Sequence, residues 1–280
     1  MKKTVLLWAM PIMALLSLVS CEDKDDAITN DANSIVDASD DENEWQNCQQ
    51  VNLSVGNTNG YEYVDLGLPS GILWAKMNVG ADSITDFGDY FAWGETEPKM
   101  DFSNHNYKFI TFDTIEDSIE VGYYTKYVHK SIAEYTGYKG YYDNKTVLDL
   151  EDDAAAVKMG GSWRMPTHCE MEELLENCEK QYVSYQGVNG YKLTGPNGAW
   201  IFLPASGFYY SDYVMGPNEQ ARYWCSSYFK STLGLYEDNF WGPTFFAKSI
   251  YLAFKSEQIQ CWAYCRFHGY TIRAVCPTTR

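Results

Sequence analysis

The chain has 280 residues and a formal charge of −17, with no basic stretch that would hold a nucleic-acid backbone or an anionic lipid surface. Aromatic residues make up 16% of it, including 23 Tyr and 9 Trp, a proportion that suits either a ligand-contacting surface or an aromatic core. Eight cysteines are present.

Residues 1–20 read as a targeting segment. Lys2 and Lys3 precede an apolar run from Val5 to Leu16, broken only by Pro11. That run is too short to span a bilayer. It ends in Leu18-Val19-Ser20-Cys21, the pattern of a bacterial lipobox, so Cys21 is the expected lipidation site. One acyl chain holds a membrane weakly and several hold it durably. The expected location is therefore the outer membrane, lipid-anchored and facing the cell exterior, with the acyl group as the sole membrane contact. If Cys21 carries lipid, seven cysteines remain, so at least one thiol stays free or pairs elsewhere.

Residues 21–58 are predicted to form a tether. Ten acidic residues and one base lie between Glu22 and Gln50. Such a segment cannot bury enough apolar surface to fold, and its charge extends it. From residue 59 to 280 charge runs thin out and Gly, Trp and Tyr become frequent, as expected of one domain with a sizeable core.

Within that domain Asp149 is expected to cap a helix over Glu151–Met159, stopped by Gly160-Gly161. Thr167-His168-Cys169-Glu170 is a capping box, followed by Met171, Leu174, Leu175 and Cys178 at helical spacing. A weaker helical pattern covers Lys126–Tyr135. Strands are expected at Tyr191–Thr194 and Ala199–Leu203, joined through Gly195-Pro196-Asn197-Gly198. Others are expected near Tyr223–Cys225, Phe246–Phe254, Cys261–Arg266 and Thr271–Val275. Helices early and strands late predict an α+β fold.

A series of motifs runs through the domain in order. They include Tyr63-Val64-Asp65-Leu66-Gly67-Leu68-Pro69-Ser70-Gly71, Gly88-Asp89-Tyr90-Phe91-Ala92-Trp93-Gly94-Glu95, Ser162-Trp163-Arg164-Met165-Pro166-Thr167, Phe202-Leu203-Pro204-Ala205-Ser206-Gly207, Tyr223-Trp224-Cys225-Ser226-Ser227 and Ile272-Arg273-Ala274-Val275. Together they resemble the Fibrobacter succinogenes major paralogous domain family, common in surface lipoproteins of Bacteroidetes. The acidic run after Cys21 resembles the export signal of such lipoproteins. That family is similar in turn to the C-type-lectin-like fold in its formylglycine-generating-enzyme branch. The resemblance implies a loop-rich α+β domain with two main helices, twisted antiparallel sheets and long loops. It does not imply one activity, since the fold hosts enzymes, sugar binders and receptor-binding tips.

Three kinds of site follow. Tyr138, Tyr141, Tyr142, Tyr209, Tyr210, Tyr213 and Trp241 lie in Gly-punctuated segments. Flat apolar rings with a polar edge on loops suit a glycan or a surface protein, and the same residues also suit a loop-heavy core. Asp143, Asn144, Asp149 and Asp152, with Glu151 and Asp153, concentrate hard oxygen ligands, so structural calcium is the cofactor this set admits. Acids complementing a helix N-terminus account for Asp149–Asp153 equally.

Cys261-Trp262-Ala263-Tyr264-Cys265-Arg266 resembles the copper-binding cysteine pair of the formylglycine-generating oxidases. It departs by one residue in spacing, which puts the two cysteines about 13 Å apart on a regular strand. If His268-Gly269 is a two-residue turn, Cys261 instead faces Cys276 and the pair forms a disulfide. The four His lack metal-ligand spacing. The expected function is a non-catalytic binding or adhesion head. The alternatives are a copper-dependent oxidase and a structural component of a surface or fimbrial assembly.

Overall fold

The computed structural model describes residues 54–115, 119–228, 246–253 and 258–278. The expected signal segment, Cys21, most of the tether and Trp241 lie outside the described residues. What is described is built mainly of antiparallel sheet with few helices.

Strands β1 (Val55–Thr58), β2 (Tyr61–Asp65) and β3 (Leu73–Ala75) form one sheet in that order, and β14 (Val275–Cys276) closes its far edge by pairing with β3. A hairpin of β4 (Ile110–Ile115) and β5 (Ile119–Tyr124) follows. Next come three helices: α1 (Ala133–Thr136), α2 (Ala154–Met159) and α3 (His168–Asn177). A meander of β6 (Glu179–Tyr185), β7 (Val188–Thr194) and β8 (Trp200–Pro204) leads to the short hairpin β9 (Phe208–Tyr210) and β10 (Tyr213–Met215). The last sheet is β11 (Gln220–Tyr228), β12 (Phe246–Ala253) and β13 (Gln258–Cys265).

Local chemistry explains several of these elements. The Thr167 hydroxyl accepts from Glu170 N, and the Glu170 carboxylate accepts from Thr167 N at 2.7 Å, so the capping box forms as read. Helix α2 begins later than expected. Asp149 makes no side-chain cap; it precedes a 3-10 turn over Leu150–Asp152, and Asp153 caps the helix by accepting from Ala156 N at 3.0 Å. The weak pattern at Lys126–Tyr135 becomes a 3-10 turn, Lys130–Ile132, and the single turn α1. The β6–β7 hairpin turns through Gln186 and Gly187, both at positive φ, as a two-residue loop of the right hand for twisted strands requires.

Two apolar clusters share walls. On β11, Tyr223 and Cys225 point into one cluster, with Val64, Leu66, Trp74, Met171, Leu174, Leu193 and Ile201. Trp224 points into the other, with Phe91, Trp93, Phe102, Tyr107, Tyr127, Trp163 and Tyr270. The period-2 alternation of strands does the same on β3, where Trp74 faces one cluster and Leu73 and Ala75 the other. Helix α3 feeds Met171 and Leu174, three apart, into the first cluster.

The two clusters are clamped by Arg273, which is fully buried. Its guanidinium donates to Asn78 Oδ1 at 3.0 and 2.8 Å, to the carbonyls of Ala75 and Lys76 at 3.3 and 3.1 Å, and to Phe202 O at 2.8 Å. These acceptors are an amide oxygen and backbone carbonyls rather than carboxylates, and burial lowers its pKa to about 10. Trp93, Trp163 and Trp224, all motif residues, donate their indole N–H groups to Cys225 O, Thr58 O and Phe91 O. The motifs that carry the family resemblance are thus largely scaffold.

Candidate functional site

Among the described residues, the most exposed aromatic pair sits on the β9–β10 hairpin. Its register sets Tyr210 opposite Tyr213, with Ser211 at φ 58° in the turn. The two rings lie 5.9 Å apart, and about half of each residue is exposed (49% and 50%). Met215 and Met100 are exposed as well.

The hairpin is held from below. Phe102 N donates to Ser211 O at 2.8 Å, and Tyr209 and Gly269 exchange backbone hydrogen bonds at 2.8 and 3.1 Å. The Tyr209 ring packs against Phe102 at 5.1 Å and edge-on to Tyr90 at 5.0 Å. Of the three tyrosines read in this segment, Tyr209 is therefore support and Tyr210 and Tyr213 are surface.

Beneath Tyr210 lies a group that sequence reading did not single out. His268 is buried with its ring 5.1 Å from that of Tyr210, and its Nδ1 is 3.3 Å from the Tyr270 hydroxyl. Burial, and then the nearby Arg222 charge, lower its pKa to about 4, so it is neutral at ordinary pH. The Arg222 guanidinium is stacked between Phe208 and Tyr264, 3.7 Å from each ring centre, and donates to the Tyr270 hydroxyl at 2.9 Å. These residues come from β9, β11, β13 and the segment after it. No local sequence signal joins them, because only tertiary pairing brings them together.

The second tyrosine group lies on another element. Tyr138 is half-buried with its ring 6.4 Å from Tyr123, and Lys139 lies 4.8 Å over it. Tyr141 and Tyr142 are exposed; the first donates to Asp143 at 3.4 Å and the second carries Lys130 at 5.7 Å.

The oxygen-ligand set divides in two. Asp143 accepts from the backbone N–H groups of Tyr127, Val128 and Lys145, at 2.8, 3.0 and 3.2 Å, and Asn144 Oδ1 accepts from Lys130 N at 2.9 Å. Asp149, Glu151 and Asp152 do converge, with ligand oxygens within 4.8 Å of one another. The Lys126 ammonium lies among them, at 3.0, 3.0 and 2.5 Å. Lys145 adds to Asp149 at 2.5 Å, and Lys108 and the Tyr127 hydroxyl to Asp152 at 2.9 and 2.7 Å. Burial pushes the Asp152 carboxyl up, but these donors outweigh it and hold the group below its ordinary range. The positive charge at the centre of this cluster is a lysine of the chain itself.

The cysteines are placed differently from expectation. Strand β13 pairs with β12 in an unbroken register from Phe246↔Cys265 to Ala253↔Gln258. Cys261 faces Ile250, and Cys261 and Cys265 stay four residues apart on a strand without a bulge in that ladder. No hairpin forms about His268-Gly269; Gly269 and Tyr270 bridge to Tyr209 and Phe91 instead. Cys276 consequently faces Leu73, not Cys261, and is a free thiol. The disulfide register is corrected on that ground: the segment after β13 turns away from that strand to bridge β9, β11 and finally β3. Burial raises the Cys265 and Cys276 thiols to about 11. The Ser226 and Ser227 hydroxyls are structural, bonding to Pro166 O and His168 N.

Comparison with family models, with curated proteins and with solved structures returns no match for this chain.

Proposed function

We propose that the chain is a lipid-anchored surface protein of the outer membrane whose folded part is a non-catalytic binding head of C-type-lectin-like fold. The observation that carries this reading is the pair Tyr210–Tyr213, two half-exposed rings on a hairpin whose turn and inner face are tied to Phe102, Tyr90 and Gly269. A rigid aromatic pair beside exposed methionine offers flat apolar contact with little entropy left to lose on binding. A glycan on the surface of a cell or of a partner protein is the ligand class such rings suit.

The motif resemblance, the capping-box helix α3 and the antiparallel sheets support the fold assignment. The unbroken β12–β13 register favours binding over the copper oxidase, because a metal needs its two thiolates on one coordination sphere. The lipobox and the acidic segment behind it support the location.

Glycan-array binding by the full chain, compared with the Tyr210→Ala and Tyr213→Ala variants, tests the reading. Each substitution is expected to weaken binding by about 1–3 kcal/mol, the range of an exposed-ring hot spot, without loss of fold. Binding that survives in the double variant overturns it.

A further inference from the structure

A recess of about 310 Å³ opens on another part of the domain, formed by β2, the segment after β3 and the end of α2. It uses none of the residues of the Tyr210–Tyr213 face. Its buried lining is Ala75, Val79 and Met159, with one polar residue, Asn78, whose amide is already engaged by Phe87 O, the Tyr223 hydroxyl and Arg273. Met77 and the half-exposed ring of Tyr61 complete that surface. The volume is at the small end of ligand pockets.

The charged lining decides what would enter. Glu62 is neutralised by Lys76 at 3.0 Å and Lys158 by Glu97 at 2.5 Å. Asp82 and Asp89 also line the recess, and among the described residues neither carboxylate receives a hydrogen bond or an ion pair. Asp89 is partly buried and Asp82 is exposed, so both remain within reach of a ligand that enters the recess.

The backbone leaves room for the Asp89 carboxylate. Gly80 has φ 79°, and a Cβ at that position would lie 2.4 Å from Asp89 Oδ2. Only glycine leaves the space the carboxylate occupies, and only glycine is at ease with that φ. Asp89 N donates to Val79 O at 2.9 Å, closing the loop on itself.

We propose that this recess binds a small organic ammonium ion: its apolar body against Met77, Val79 and Met159, its charged nitrogen at Asp89 with Asp82 beside it. A neutral polyol would leave both carboxylates uncompensated. A bare metal ion would leave the apolar lining unused and would find two free carboxylates, few for a hard cation. The chain's charge of −17 raises the local concentration of cations.

Calorimetric titration of the full chain in detergent with hexylammonium, and separately with the neutral isostere 1-hexanol, tests this. Hexylammonium is expected to bind saturably at one site, with hexanol at least about tenfold weaker, the worth of a charge-assisted contact. Asp89→Asn is expected to weaken hexylammonium by a similar factor and Tyr210→Ala to leave it unchanged, which separates this site from the proposed glycan face. The Asp89 carboxylate holds no structural hydrogen bond, so the variant should keep the wild-type melting temperature. If it does not, the exposed Asp82→Asn carries the test, with a drop of about threefold or more supporting the site. No saturable binding, equal affinity for hexanol, or an undiminished affinity in the carboxamide variant that folds overturns it.

Discussion

His268 shows how one buried side chain sets a condition on the whole surface above it. The ring supports Tyr210 and stays neutral because burial and Arg222 both oppose its protonation. A histidine whose folded pKa is depressed costs stability as pH falls: nothing above its unfolded value of about 6.5, and the full amount below its folded value of about 4. The cost over that window is about 3 kcal/mol. His268→Phe keeps a ring under Tyr210 and removes the titration. Urea denaturation at pH 7 and pH 4 should therefore show the variant losing about 3 kcal/mol less than the wild type between the two. Equal losses would mean that His268 is hydrated in solution. Carboxylates held low, Asp152 and Glu170 among them, add their own loss only as pH falls through their depressed folded values.

At the scale of elements, helix α3 is fixed by more than its cap. Glu170 closes the capping box and at the same time receives a two-pronged bond from Arg164, at 2.7 and 2.5 Å. Arg164 exchanges backbone bonds with Val275 at 3.0 and 2.9 Å, so the helix start is tied to the last strand. Removing only the cap, as Thr167→Ala, is expected to cost about 1 kcal/mol. Removing the charge, as Glu170→Gln, should cost more and should couple to Arg164→Met. A double-mutant cycle in urea is expected to give at least about 1 kcal/mol of interaction; a value near zero would mean the pair is no more than a solvated surface contact. The hairpin β9–β10 illustrates the opposite case. It is too short to be stable alone, and its order comes from Phe102, Gly269 and the stacked Arg222.

For the whole molecule the decisive side chain is Arg273. Truncating it to Met removes the donor for Asn78 Oδ1 and the carbonyls of Ala75 and Phe202, all buried, and for the partly buried carbonyl of Lys76. The expected loss is about 3–5 kcal/mol, measured by urea denaturation at neutral pH. Tyr210→Ala at the surface should change stability by less than about 1 kcal/mol. A difference in the other direction would mean that the hairpin, not the clamp, limits unfolding.

The sequence by itself determined what depends on neighbours in the chain. The capping box at Thr167–Glu170 formed as read because its partners are three residues apart. The hairpin through Gly195–Gly198 formed because a short turn leaves the strands little choice of register, and Thr194 duly faces Trp200. Antiparallel strands in the second half of the domain were legible from periodicity in the same way, whereas the order expected, helices before strands, was not kept: β1–β5 precede α1. Only the tertiary structure decided which residues meet across the chain. Asp149 yielded its capping role to Asp153, which also takes Met165 N, a contact twelve residues away. Cys261 and Cys276 parted because the segment between them crosses from one sheet to another. The acidic run gathered around Lys126, about two dozen residues earlier, because Asp152 is buried and needs a cation nearer than solvent can supply. Tyr209 and Tyr210 are neighbours of one type in sequence, yet one packs on Phe102 and the other faces water. The alternation of a strand, and what lies under each of its faces, made that distinction.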